Sequence, residues 1–209
     1  MENKRGLFIV MEGVDGCGKS TQSSMLASYL RSLGRKVHLT CEPTESGLGG
    51  MIRDSLGGEF HRTNEELAAM FVADRVYHNV SAKNGIKMHL EEGTDVVCDR
   101  YYYSSLAYQG LDGNFEWVAE MNLDCPSIEK PDICIFIDLD PEKCLEHIRA
   151  GRTHFEIFEK NSDIIAANRN RYLKVFKQLE EKEHIVIVDG SKSIDEVFED
   201  IKKEIDKLI

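Results

Sequence analysis

Apolar residues along the chain fall into two spacings. Five strand-length segments, Leu7–Met11, Lys36–Cys41, Asp95–Cys98, Ile133–Ile137 and Ile185–Val188, are rich in Val, Ile, Leu and Cys. Between them, apolar residues recur every three or four positions. Met25, Leu26, Leu30 and Leu33 mark one helical face, and Gly34 is a stop signal. Thr63 and Glu66 have capping-box spacing, which predicts a helix from Asn64 to about His89. Asp140 before Pro141 predicts a helix start, and that helix ends at Gly151. Ile164, Ile165, Tyr172, Leu173, Phe176 and Leu179 define a long helix. Ser193 and Glu196 form a second capping box, which opens a helix with an apolar stripe from Ile194 to Leu208. Apolar strands alternating with helices predict an α/β fold, a five-stranded parallel sheet covered by helices on both faces.

Length and charge narrow the class. A chain of 209 residues with no linker, repeat or low-complexity stretch is expected to form one domain, 1–209. The formal net charge of −11 argues against a general affinity for nucleic acid or for an anionic membrane, since both require clustered Lys and Arg. Cysteines 17, 41, 98, 125, 134 and 144 contain no C-x-x-C pair and read as reduced thiols. Cys17 lies in the phosphate loop and reads as a small residue that fits there, the alternative being a thiol whose pKa the positive potential lowers. The N-terminus leads into a strand without a long apolar segment, so no signal peptide or membrane span is expected, and the protein is read as cytoplasmic.

The chemistry concentrates at Gly13-Val14-Asp15-Gly16-Cys17-Gly18-Lys19-Ser20-Thr21, between the first strand and the first helix. This is a P-loop in its required context. Its glycines let backbone N–H groups surround phosphate oxygens, Lys19 reaches the β/γ-phosphates of ATP, and Ser20 is placed to ligate Mg²⁺. Asp99 and Arg100 follow the third strand, where ligands gather in open parallel sheets. Asp99 is a candidate to hold Mg²⁺ through water and Arg100 to bind an anion; the alternative is that the two pair with each other. Phe71 and Arg75, one helical turn apart, suit a flat heterocycle bearing carbonyl oxygens, although Phe71 taken alone fits the core. Arg53 lies on a short predicted helix after the second strand. Residues 149–159, with Arg149 and Arg152, read either as a mobile cover over phosphates or as a plain surface loop.

Three stretches together, E-G-V-D-G-C-G-K-S-T (12–21), the F-x-x-D-R of Phe71 to Arg75, and D-R-Y-x-x-S-S-x-A-Y-Q-G (99–110), resemble the thymidylate kinases in order, distance and context. The resemblance runs from Gly6 to the final helix. It implies a P-loop nucleoside monophosphate kinase fold, transfer of the ATP γ-phosphoryl group to dTMP with Mg²⁺, and a homodimer formed through packed helices. It also implies that Phe71 stacks on thymine, Arg75 hydrogen-bonds a base carbonyl and Arg100 holds the acceptor phosphate. Asp15 would lie near Mg²⁺ and the sugar 3′-hydroxyl, Tyr108 would crowd a ribose 2′-hydroxyl, and Ser105 and Gln109 would line the same pocket. The chain departs from the family in the lid, about 149–160. The acidic-Arg-x-Glu string frequent there stands here as Glu156-Ile157-Phe158-Glu159, which leaves Arg152 and Arg149 as the basic candidates. Two rivals are a triphosphate-hydrolysing regulator without a second substrate, and a deoxynucleoside kinase, for which Glu42 is the candidate base.

Overall fold

The computed structural model describes residues 5–110, 114–151 and 161–209. The first half of the chain contains β1 (Phe8–Glu12), α1 (Lys19–Ser32), β2 (Val37–Cys41), α2 (Gly47–Leu56), α3 (Asn64–Val80), α4 (Ile86–Glu91) and β3 (Asp95–Asp99). A short helical turn, α5 (Tyr102–Ser105), runs directly into a π-helical stretch, Leu106–Gly110. Then come α6 (Phe115–Leu123), β4 (Ile133–Asp138), α7 (Pro141–Gly151), α8 (Ser162–Leu179), β5 (Ile185–Asp189) and α9 (Ile194–Ile205).

The five strands form one parallel sheet in the order β2-β3-β1-β4-β5. Ile9 lies opposite Val97 on one side and Ile133 on the other, which places β1 at the centre. All five residues of β1 are buried, as are the first five of β4. Successive side chains of a strand point to opposite faces, so unbroken burial means that both faces are covered. The edge strands β2 and β5 are only partly covered, with Leu39 and Ile187 exposed. The carboxyl ends of the strands face one cleft, where an open parallel sheet binds its ligands.

Both predicted capping boxes form, at Thr63 with Glu66 and at Ser193 with Glu196. Asp140 Oδ1 accepts from the backbone N–H groups of Glu142 and Lys143 at 3.0 and 3.3 Å and so starts α7. The helix expected from Asn64 to His89 is instead two helices. It leaves helical geometry at Ser81 (φ −57°, ψ 125°), and a new helix starts after Gly85 and buries Ile86 and Leu90. The turn closes so tightly that a Cβ on Gly85 would lie 2.4 Å from the Ser81 carbonyl oxygen. The helices over 102–110 and 115–123 lacked a periodic pattern strong enough to be read from the sequence.

Gly85→Ala is therefore expected to destabilise the protein by about 1–3 kcal/mol, the usual cost of an overpacked contact, read as a lower urea midpoint at unchanged slope.

Candidate active site

The phosphate loop is shaped from two sides. From the sheet, β1 delivers the chain to Gly13, and Gly18 in left-handed geometry (φ 97°) caps α1. From α7, the Cys144 carbonyl oxygen lies where a Cβ on Gly16 (φ 80°) would come within 2.2 Å, so only glycine fits there. His147 Nδ1 donates to the Gly16 carbonyl at 2.9 Å from the same helix. Lys19 is 6% exposed, and its ammonium donates to the Val14 carbonyl at 3.0 Å and lies 3.8 Å from Asp15. Ser20 Oγ donates to Asp99 Oδ2 at 2.6 Å, which joins the start of α1 to the end of β3. Burial pushes the Cys17 thiol above its ordinary pKa despite the nearby Lys19, which favours the reading of a small residue that fits the loop over that of an activated thiol.

Asp99 and Arg100 do not form the mutual pair considered from the sequence. Asp99 is bonded to Ser20, while the Arg100 guanidinium pairs with Asp15 and donates to Ser104 Oγ and Tyr172 OH, each at 3.2 Å. Its carbon also lies 5.6 Å from the Tyr108 ring centre. Burial works against its charge, yet Asp15 with Tyr108, Tyr172 and Glu12 holds its pKa well above the ordinary arginine value. Arg100 adopts φ 70°, a costly conformation for a residue with a Cβ, and the surrounding bonds hold it there.

Those bonds converge on Glu12, the last residue of β1, which is fully buried. Its Oε1 accepts from the backbone N–H groups of Tyr101 and Ser104, at 2.9 and 3.2 Å. Its Oε2 accepts from Ser104 Oγ and Tyr172 OH, each at 2.9 Å. Burial raises the Glu12 pKa, opposed by Arg100 and by these donors. Glu12 and Tyr172 were present in the sequence only as the first letter of a motif and as one position in a helical stripe.

The far wall comes from α2, α3 and the Tyr102–Gly110 segment. Phe71 is half-buried and lines the cleft instead of entering the core. Arg75 borders the cleft but is 1% exposed. Glu42 Oε2 accepts from Arg75 Nε at 2.8 Å and lies 2.7 Å from Nη2, Ser105 Oγ accepts from Nη2 at 3.2 Å, and Asn122 Oδ1 accepts from Nη1. Glu42 Oε1 is 3.0 Å from His78 Nδ1, so both carboxylate oxygens are engaged. That gives Glu42 the task of holding Arg75 and argues against its use as a free base. Arg53 donates to the Pro43 and Thr44 carbonyls at 3.1 and 2.7 Å and lines the cleft beside them. Buried Asp74 stiffens this loop by accepting from Thr44 N and Oγ1 and from Ser46 Oγ. Ser105, Tyr108 and Gln109 are buried around the cleft, and burial raises the Tyr108 pKa.

The structure thus brings Asp15, Gly16, Cys17, Gly18, Lys19, Ser20, Thr21, Arg53, Phe71, Arg75, Asp99, Arg100, Ser105, Tyr108 and Gln109 to one cleft of about 830 Å³. Gly13 and Val14 are buried beneath the loop. Arg149 is exposed on the last turn of α7, next to the cleft-lining Ala150 and Gly151. Arg152, Glu159 and most of the expected lid lie outside the described residues. Asn122 and His78 were missed, because no local pattern distinguishes them from ordinary helix residues, and Asp74 was visible only as a letter of the F-x-x-D-R motif without a role.

A five-stranded parallel sheet with a phosphate loop after its central strand, together with the relatives of this chain, marks the class: an ATP-dependent P-loop nucleoside monophosphate kinase. Residues 11–201 match the family model described as thymidylate kinase. The chain belongs to the thymidylate kinase family. It is 40% identical over 205 residues to the probable thymidylate kinase of Pyrococcus horikoshii, covering 94% of each chain. It is 36% identical over 207 residues to that of Methanococcus aeolicus, covering 97% of each. Among solved structures, the thymidylate kinase of Candida albicans superposes with a TM-score of 0.78 at 25% identity, over 97% of this chain and 92% of that one.

Glu12→Ala strands four donors and should cost about 3 kcal/mol or more, whereas Glu12→Gln, which keeps an acceptor, should cost less. The folded pKa of Glu12 lies above its ordinary value of 4.5. The stability it contributes is therefore present below that value and is lost as pH rises through the folded pKa. Urea midpoints of the wild type and Glu12→Gln, compared across that rise, should shift against the wild type.

Proposed function

We propose that this cleft transfers the γ-phosphoryl group of ATP to the 5′-phosphate of dTMP, giving dTDP and ADP, in the service of dTTP synthesis. The observation that carries the reading is Arg100. It pairs with Asp15 of the phosphate loop and faces Tyr108 of the opposite wall, so one cation touches both halves of a single cleft. Two ligands that each carry phosphate repel one another, and a cation at their meeting point offsets that repulsion.

The loop from Gly13 to Thr21 receives the ATP phosphates, with Lys19 on the transferring group. Arg100 orients the acceptor phosphate, Phe71 stacks on the base, and Arg75 donates to a base carbonyl. Arg53, Ser105 and Gln109 complete the acceptor pocket, and Tyr108 limits space at the sugar 2′ position. The attacking group is already anionic, so no strong base is required. Ser20 Oγ and Asp99 Oδ2, hard oxygen ligands 2.6 Å apart beside the phosphate loop, fit a Mg²⁺ site, with Asp15 close by. Ser20 and Asp99 would hold Mg²⁺ there, and the ion would supply positive charge against the phosphates. The remaining cation is assigned to the lid, about 149–160, with Arg152 first and Arg149 second, and residues 1–209 act as one domain.

The working form is read as a homodimer. One face of α3 exposes Ala69, Ala73, Tyr77 and Val80 at helical spacing, which suits packing against a second copy. Among the described residues no helix is long and apolar enough to cross a membrane, and with a net charge of −11 the protein is proposed to work on small nucleotides in the cytoplasm, without nucleic acid or membrane partners.

A panel of monophosphates assayed with ATP and Mg²⁺ tests the reading. dTMP and dUMP should be turned over and dCMP poorly, because its exocyclic amine donates where Arg75 also donates. Equal use of dTMP and dCMP would overturn the pocket assignment, and turnover of none would favour the regulator. Lys19→Ala should lower turnover about a hundredfold or more while the protein remains folded; near-normal turnover would remove Lys19 from the reaction.

A further inference from the structure

We infer that His78 is a positioning residue for acceptor choice: acting through Glu42, it fixes the direction in which Arg75 presents its last free N–H to the base. The inference rests on the proposed reading of Arg75 as the donor to a base carbonyl. A guanidinium has five N–H donors in one rigid plane. Among the described residues, Nε of Arg75 donates to Glu42 Oε2, Nη2 donates to Ser105 and lies 2.7 Å from the same Glu42 oxygen, and Nη1 donates to Asn122, which leaves the second N–H of Nη1 without an acceptor. Because the fork is planar, that N–H points wherever these contacts set it.

Glu42 makes two of those contacts, the bond from Nε and the close approach of Nη2, through one oxygen, Oε2. What keeps the carboxylate in this one-oxygen arrangement is His78, whose Nδ1 lies 3.0 Å from Oε1. The ring is fixed at its other end, where Nε2 lies 2.8 Å from Thr40 Oγ1 on β2. His78 is 5% and Glu42 5% exposed, so water does not readily replace a lost partner. Arg75 and His78 are three residues apart on one face of α3 and hold Glu42 between them. Without the imidazole, Oε1 is a buried acceptor with no partner. The carboxylate then draws the guanidinium into a two-oxygen pair and turns the remaining N–H away from the cleft.

The alternative is that His78 only fills space in the core. Leucine keeps the bulk and loses both bonds. Asparagine keeps a donor at the position of Nδ1, and glutamine places one nearer the position of Nε2. The test is to purify His78→Leu, His78→Asn, His78→Gln and Arg75→Gln, to check folding by circular dichroism and thermal melting, and to measure kcat and KM for dTMP, dCMP and ATP. His78→Leu should raise KM for dTMP about tenfold and reduce the kcat/KM preference for dTMP over dCMP by a similar factor, the loss expected for one hydrogen bond to a charged group. KM for ATP should stay within about twofold, since a hydrogen bond confined to the acceptor pocket contributes to acceptor binding alone. His78→Asn should recover most of the preference and His78→Gln should not. A folded His78→Leu with wild-type KM and preference overturns the inference; if it does not fold, equal preference in His78→Asn and His78→Gln overturns it. Arg75→Gln separates the two levels. If it abolishes the preference while the His78 variants keep it, only the positioning role fails. If it retains the preference, the reading of Arg75 itself fails.

Discussion

The buried carboxylate of Glu12 is the constraint on which the active end of this molecule depends. Taking a carboxylate out of water costs several kcal/mol unless donors replace the water, and here four donors do so. They come from the turn after β3, from α5 and from α8. One acid at the end of the central strand therefore fixes where those three elements stand relative to the phosphate loop that begins at the next residue. Arg100 sits inside this arrangement, with a backbone conformation and a guanidinium direction that its neighbours impose.

A second acid organises the opposite wall by the same physics. Glu42 is buried between Arg75 and His78, and Arg75 is held further by Asn122 and Ser105. Side chains this well supported lose little further entropy when a ligand arrives, which is the advantage of a site ordered before binding. The two walls share Arg100, and Asp15 lies between Lys19 and Arg100. The chain as a whole is acidic, with a net charge of −11, yet its cleft gathers Lys19, Arg53, Arg75 and Arg100. Bulk charge opposes a general affinity for extended polyanions, while the local cations suit small ones.

One mismatch between pattern and structure is instructive. The capping box at Thr63 correctly starts α3, but the apolar spacing that follows continues past Ser81 although the helix does not. Periodicity cannot see that the Asn79 side chain is already occupied by the Arg75 carbonyl and the Tyr101 hydroxyl, or that the chain must double back tightly at Gly85.

The sequence by itself determined what depends on near neighbours. The glycine spacing of the phosphate loop, the two capping boxes, the Asp140-Pro141 helix start and the five apolar strands all express backbone preferences over a few residues, and all appear where the pattern places them. The cleft residues that sit in short stretches at the ends of strands were legible for the same reason, whereas Arg53, Phe71 and Arg75 lie on α2 and α3 and were read from helical position and the family resemblance. Tertiary structure alone decided what those residues are bonded to. Glu12 meets Tyr172 across 160 positions of chain, Arg100 meets Asp15 across 85, and Arg75 meets Asn122 across 47. Such pairings are selected by the cost of leaving a buried polar group without a partner, and that cost does not exist until the sheet and helices have closed around it.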